Sequence, residues 1–139
     1  MAKYNNEKCN LDGYEFDSKE EMRYYEYLKD LKAKEKILNF ELQPKYILLE
    51  AFKYMGKKRQ AMTYTPDYLV YYLDGTEELI DVKGFSTQMG LMRRKLFEYF
   101  YPNIKLTWIA SSYKYGDDDG WITVEDLKKY RSNAKRGKL

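Results

Sequence analysis

An α/β domain, with helices packed around a mixed sheet, is what this sequence predicts, and three patterns predict it. Two segments, near residues 18–34 and 86–101, repeat apolar side chains at helical pitch. Around them lie β-rich runs such as "AMTYTPDYLVYYL", "ELIDV" and "IKLTWIAS". The 139 residues contain no internal repeat and no linker, which fits one domain long enough to bury a real core.

The first helix is expected from about Ser18 to Lys34. It opens in "FDSKEE", where Ser18 and Glu21 stand at capping-box spacing. Tyr24, Tyr25, Tyr27, Leu28 and Leu31 share one helical face, with Lys19, Arg23, Glu26 and Asp30 opposite. Glu20 and Glu21 fall on the two edges of the apolar face, so the wheel leaves open which of them looks inward. "ILNFELQPKYILLEAF" reads as extended chain broken at Gln43-Pro44. "KYMGKKRQ" reads as a basic turn with Lys57, Lys58 and Arg59 at a loop tip. Pro66 falls near the start of the next strand, where a missing N–H is tolerated. After a turn at Asp74-Gly75 the chain returns through "EELIDVKG". The second helix is capped by Ser86 or Thr87 and stops before Pro102, with Met89, Met92, Leu96 and Phe100 as its core stripe. A buried-type strand follows, then a short helix "TVEDLKKY" capped by Thr123. The domain is expected over residues 1–131, leaving 132–139 as a basic, flexible tail.

Composition narrows the chemistry. Hydrophobic residues make up 44% and charged residues 34%, the balance of a soluble protein. No apolar run approaches membrane-spanning length and "MAKYNNEKCN" lacks a signal-peptide core, so a cytoplasmic protein is expected. The single cysteine, Cys9, agrees, since it cannot form an internal disulfide. There is no histidine, which removes Ser-His-Asp and Cys-His catalysis, and one cysteine removes structural zinc. Hydrolysis by such a chain would rest on carboxylates, lysine and a hard cation such as Mg²⁺. The net charge of +3 is too small to announce a polyanion partner by itself. Its distribution says more: "KKR", "RRK" and the C-terminal run are basic, while acidic residues gather in the first helix and in "GDDDG". Sixteen tyrosines among clustered Lys/Arg suit a nucleic-acid surface, and suit a small core equally. "GDDDG" lacks the spacing and distal glutamate of an EF-hand and reads as a solvated turn.

The candidate site begins at "IDVKGF", Ile80 to Phe85. On a strand Asp81 and Lys83 point to one face while Ile80 and Val82 point to the other. Charges inside an apolar run are costly unless paired or used. A two-residue loop at Asp74-Gly75 would set Asp67 and Asp81 on opposite faces. A three-residue loop, with Gly75 in the left-handed conformation of a G1 bulge, pairs Tyr72 with Thr76 and puts Asp67 directly across from Asp81. Two carboxylates about 4.5–5.5 Å apart at Cβ repel. A divalent cation between them reverses that sign, so the bulge is the expected geometry. Lys83 joins the same face, where its ammonium can orient a water, help deprotonate it, or stabilise a pentacovalent phosphate.

The stretch "TPDYLVYYLDGTEELIDVKG" resembles the PD-(D/E)xK nuclease signature, Pro66-Asp67 followed by Asp81-Val82-Lys83. "FDSKEE" resembles the F-x-S-x-x-E opening of phage members, at Phe16, Ser18 and Glu21. "YTPDY", a lysine-glycine strand end, a basic helix ending in proline and "LTWIASS" resemble phage endonuclease I, the junction-resolving enzyme. Small phage proteins with F-D-S-K-x-E, L-Q-P-K and D-V-K-G look closer still. The likeness runs from Phe16 to about Tyr130. It implies a restriction-endonuclease-like core, a central mixed sheet flanked by helices in α-β-β-β-α-β order. It implies Glu21 as the helix carboxylate, Asp67 and Asp81 as metal ligands with the Val82 carbonyl, and Lys83 as the catalytic lysine. Mg²⁺ is the implied cofactor, with Mn²⁺ as a substitute. A phage-derived homodimer resolving branched DNA, the Holliday junction, is the implied function. The stretch "EAFKYMGKKRQAM" departs from that pattern, being longer and more basic than the strands alone need.

Each residue also has a bland reading. Asp67 after Pro66 is an ordinary turn former, Glu21 completes a capping box, and Asp81 with Lys83 on an edge strand is an ion pair worth well under ~1 kcal/mol. The apolar neighbours of Asp81 argue against an edge, and the joint pattern favours the site. Following a nuclease strand, Arg93, Arg94 and Lys95 read as phosphate contacts, and Lys57, Lys58 and Arg59 as a grip on the backbone. The alternatives are a sequence- or mismatch-directed nicking endonuclease, and a catalytically inactive DNA-binding module on the same fold.

Overall fold

The structure is a computed structural model and describes residues 8–84 and 86–137. Phe85, and Lys138 and Leu139 of the expected tail, lie outside the described residues.

A hairpin of β1 (Cys9–Leu11) and β2 (Tyr14–Phe16) precedes helix α1 (Lys19–Ala33). Strand β3 (Asn39–Leu42) leads into β4 (Tyr46–Leu49), β5 (Phe52–Tyr54), β6 (Lys57–Arg59) and β7 (Met62–Tyr64). The hairpin β8 (Tyr68–Tyr71) and β9 (Glu77–Val82) follows, then helix α2 (Gln88–Phe100). Strands β10 (Leu106–Ser111) and β11 (Trp121–Thr123) lead into helix α3 (Val124–Lys135). Five strands form a mixed sheet in the order β11-β10-β9-β8-β3, in which only β9 and β10 run parallel, joined through α2. The fold is therefore mixed α/β, as predicted; of the seven described strands between α1 and α2, three (β3, β8 and β9) belong to the five-stranded sheet and four form two small sheets of their own. Three-residue strands such as those of β5 and β6 are too short to print a period on the sequence.

The sheet is covered on both faces. Tyr68, Val70 and Ile80 meet Tyr24, Tyr25 and Leu28 of α1. Leu69 and Leu79, one pleat along, meet Phe97 of α2 together with Leu48 and Tyr64. Alternate residues of β8 and β9 thus feed two cores, which is why these strands read as nearly continuous apolar runs.

Helix α1 starts where its capping sequence requires, with the Glu21 N–H donating to Ser18 Oγ at 3.1 Å. Its buried face is the predicted one, plus a glutamate: Glu21, Tyr24, Tyr25 and Leu28. Thr87, one of the two candidates, caps α2 and accepts from the Gly90 N–H. The expected core stripe of α2 is corrected. Met89, Met92 and Phe100 are exposed, and the helix turns Gly90, Arg93, Arg94 and Phe97 inward instead. Phe97 is the anchor at 0% exposure. The flexible tail is corrected too, since α3 continues through Ser132–Lys135 before Gly137, at φ 73°, ends it. Nothing in "SNAK" breaks a helix.

Residues 112–120 connect β10 to β11, with Asp117 Oδ1 accepting from the Asp119 and Trp121 N–H groups. A Cβ on Gly116 would lie 2.4 Å from the Ser112 carbonyl oxygen and 2.6 Å from the Gly120 carbonyl carbon. Both obstacles are backbone. Gly116→Ala is therefore expected to destabilise by roughly 2–3 kcal/mol, read as a lower urea midpoint.

Candidate active site

The hairpin of β8 and β9 has the three-residue loop. Tyr72 N–H donates to the Thr76 carbonyl at 2.9 Å, and Gly75 takes φ 89°. The register that follows pairs Tyr71 with Glu77 and Tyr68 with Ile80, so that one step further Asp67 faces Asp81. Asp67 is locked by two contacts of different kinds. Its carbonyl accepts from Gln43 N–H on the neighbouring chain segment, and its Oδ2 accepts from Val82 N–H at 2.7 Å.

The third carboxylate comes from α1. Glu21 is 7% exposed and Glu20 is exposed, which settles what the helical wheel left open. Tyr68 Oη donates to the Glu21 carbonyl at 2.7 Å, tying the first turn of α1 to β8. The Glu21 and Asp67 carboxyls lie within hydrogen-bonding reach, as do those of Asp67 and Asp81. Burial, then repulsion from Asp81, raises the Asp67 carboxyl well above its ordinary range. Burial, then Asp17, raises Glu21. The three acids form a chain rather than a closed ring, and no trio among the described residues is laid out as a finished cation cage.

Two aromatics to which sequence reasoning gave no role in the site hold Asp81 in place. Tyr64 Oη donates to Asp81 Oδ2 at 2.6 Å, and Trp108 Nε1 donates to Tyr64 Oη at 3.1 Å. Trp108 sits beside Asp81 because β10 pairs with β9 in that register. A crossover connection fixes no register from the sequence, so this relay had no legible signal. Burial and the Asp81 charge push the Tyr64 hydroxyl far up, so it stays a donor.

Cationic groups line the same cavity. Lys83 Nζ lies 3.2 Å from Asp81 Oδ2 and 4.8 Å from the centroid of the Trp108 ring. Arg93 also lines the cavity, and its Nε is buried with no hydrogen-bond partner. Thr87 and Gly90 bring the N-terminal turn of α2 to the same space, a turn without acidic residues. Arg94 behaves differently from its neighbour. It stacks on Trp108 at 4.6 Å and pairs with Glu98 and Glu125, so its charge is spent inside the molecule. Lys95 is exposed on the outer side of α2. Glu21, Asp67, Asp81, Lys83 and Arg93 thus share one cavity of about 530 Å³, while Lys57, Lys58 and Arg59 stand on β6, a strand rather than a loop tip.

A family model described as a protein of unknown function, DUF1064, matches residues 1–117. The chain belongs to the DUF1064 family. No curated protein matches it, and no solved structure does. The acidic pair, the lysine and the inward arginine all fall within the part that matches DUF1064.

The donor set of this DUF1064 chain suits a hard divalent cation: three carboxylates, all oxygen, crowded enough to repel. The Val82 N–H is already taken by Asp67, and Val82 itself lines the cavity. An unfolded aspartate titrates near 3.8, whereas Asp67 in the folded chain holds its proton to higher pH. Folding therefore takes up a proton, and stability falls as pH rises from that value through the raised one. Asp67→Asn keeps an acceptor for Val82 and removes one charge. At neutral pH without metal it is expected to raise Tm by about 3–5 °C, the equivalent of roughly 1 kcal/mol at this size. Added Mg²⁺ or Mn²⁺ should stabilise the parent protein in the same thermal melt and fail to stabilise the variant.

Proposed function

We propose that this protein is a metal-dependent endonuclease of the PD-(D/E)xK type, built on a restriction-endonuclease-like core and cutting DNA by water attack on phosphorus. One observation carries the reading: a single cavity is lined both by carboxylates (Glu21, Asp67, Asp81) and by cationic or electropositive groups (Lys83, Arg93, the α2 N-terminus). Phosphodiester hydrolysis needs both, anionic groups for a cation and positive groups for the phosphate. A storage or scaffold role explains neither the buried acid crowding nor the orphaned guanidinium nitrogen.

Glu21, Asp67 and Asp81 would hold Mg²⁺, with Mn²⁺ as a substitute. When bound, the ion supplies Lewis acidity and a water acidic enough to act as nucleophile at neutral pH. Tyr64 fixes the orientation of Asp81 through Oδ2 and is itself fixed by Trp108. Lys83 keeps a positive charge beside Asp81, where it would meet a phosphate bound in the cavity. Arg93, which lines the cavity, would set its guanidinium charge toward a non-bridging phosphate oxygen. Branched DNA as substrate, a homodimer and a phage-derived cytoplasmic protein complete the reading, on the sequence resemblance alone. Among the described residues no helix is long and apolar enough to cross a membrane.

The deciding assay incubates the protein with labelled four-way junction, linear duplex and single strand, each with Mg²⁺, Ca²⁺ or EDTA. Symmetric, Mg²⁺-dependent cuts at the junction are expected. Nicks at one duplex sequence would redirect the reading to a nicking enzyme. Binding without cutting in Mg²⁺ or Mn²⁺ would leave a silent DNA-binding module.

A further inference from the structure

Between β3 and β8 the chain makes a nested excursion whose outer half the sheet does not use. Strands β4 and β7 form a stem packed on α2 through Leu48, Tyr64 and Phe97. Beyond them β5 and β6 pair only with each other, and every residue from 51 to 61 is exposed. The tip is a two-residue turn, Met55-Gly56, with both φ positive at 49° and 79°. That turn matches the twist of its strands and closes the ribbon with few residues.

The ribbon carries Lys53, Lys57, Lys58 and Arg59, and no acidic residue occurs from 51 to 66. Its register sets Lys53 directly opposite Lys58, a like-charge pair that weakens an isolated hairpin. Those two lysines occupy one face. Lys57 and Arg59 occupy the other, with Phe52 and Tyr54, and the Arg59 guanidinium lies 5.7 Å from the Tyr54 ring centroid. A ribbon charged on one face can lie on an anionic surface; charged on both, it fits between two anionic walls. A two-stranded ribbon with side chains on both faces is at least about 10 Å thick, the spacing of stacked sheets. The major groove of B-DNA is about 12 Å wide and its minor groove about 6 Å.

We infer that the β5–β6 ribbon is a duplex-gripping arm that enters the DNA major groove, Lys53 and Lys58 facing one phosphate backbone and Lys57 and Arg59 the other. The inference rests on DNA being the substrate and extends it: the arm selects double helix near the cut. A second copy of this chain is the weaker occupant, since two such arms repel.

The test is fluorescence anisotropy without divalent metal, on labelled B-form duplex, single-stranded DNA and double-stranded RNA across a salt series. The variants are Lys53→Ala with Lys58→Ala, and Lys57→Ala with Arg59→Ala. Each phosphate contact contributes about 0.9 to the slope of log K against log salt. Each double variant should therefore lose close to two units of slope and about tenfold or more in duplex affinity. Single-strand binding should change less, and RNA duplex, whose major groove is deep and narrow, should bind weakly to the parent protein. Unchanged slopes in both variants, or equal binding of RNA and DNA duplexes, would overturn the arm. So would a dimer, seen by light scattering, that dissolves when these charges are removed. Because binding is read without cutting, arm-dependent binding by a protein that cuts nothing sinks only the nuclease reading. Cutting by a protein whose duplex binding ignores both variants sinks only the arm. All four side chains are exposed, so thermal melts should match the parent.

Discussion

Lys83→Ala and Asp81→Asn should each slow DNA cutting by about 10³-fold or more, with duplex affinity changed by less than about threefold, under ~1 kcal/mol. The two substitutions act on the same 3.2 Å ion pair from opposite ends. Asparagine at position 81 retains an oxygen for the Tyr64 hydroxyl, so the relay through Trp108 survives while the charge does not. Alanine at position 83 removes the ammonium from the cavity and leaves Asp81 bonded to Tyr64. Neither change opens a large hole, and circular dichroism should show an intact fold. If cutting persists in both variants, or if either fails to fold, Asp81 and Lys83 are a structural pair and the chemistry lies elsewhere.

The second large effect belongs to Arg93. Arg93→Ala is expected to slow cutting by about 10²-fold, the scale for losing one charged donor to a developing phosphate charge, with partial recovery in Arg93→Lys. Stability separates this from a packing role. The buried Nε has no partner in the protein, so deleting the side chain breaks no internal hydrogen bond. Tm should stay within about 2 °C, less than 1 kcal/mol in a domain of this size. A structural arginine would show the reverse, with lost stability and retained rate. A drop in Tm with normal cutting would remove Arg93 from the site.

The β8–β9 register shows how much of this site could be read in advance. The dipeptide Asp74-Gly75 left a two-residue and a three-residue loop open, a shared cation favoured the longer one, and counting back from it put Asp67 opposite Asp81. Turn chemistry is local, so the sequence narrows it to a short choice. The inward face of α2 was illegible for the opposite reason. Periodicity favours Met89, Met92 and Phe100, but the helix turns Arg93 to a polar cavity and lays Arg94 on the Trp108 ring. Apolar residues were left facing out because the site claimed the inner face. Tyr64 and Trp108 were invisible as functional groups because a buried aromatic with a hydrogen bond reads the same in a core as beside a carboxylate. Glu21 fell between these cases: helical pitch narrowed the choice to two residues, the resemblance pointed to Glu21, and the structure buries it where α1 meets β8.

Strand β7 joins the root of the ribbon to the relay tyrosine, and three residues after that tyrosine the same chain supplies Asp67. From Lys57 to Tyr64 the backbone can reach at most about 23 Å, or roughly seven base-pair rises. Grip and chemistry would then be two marks on one molecular ruler, and the length of the stem, more than any base contact, would decide how far from its foothold the enzyme makes its cut.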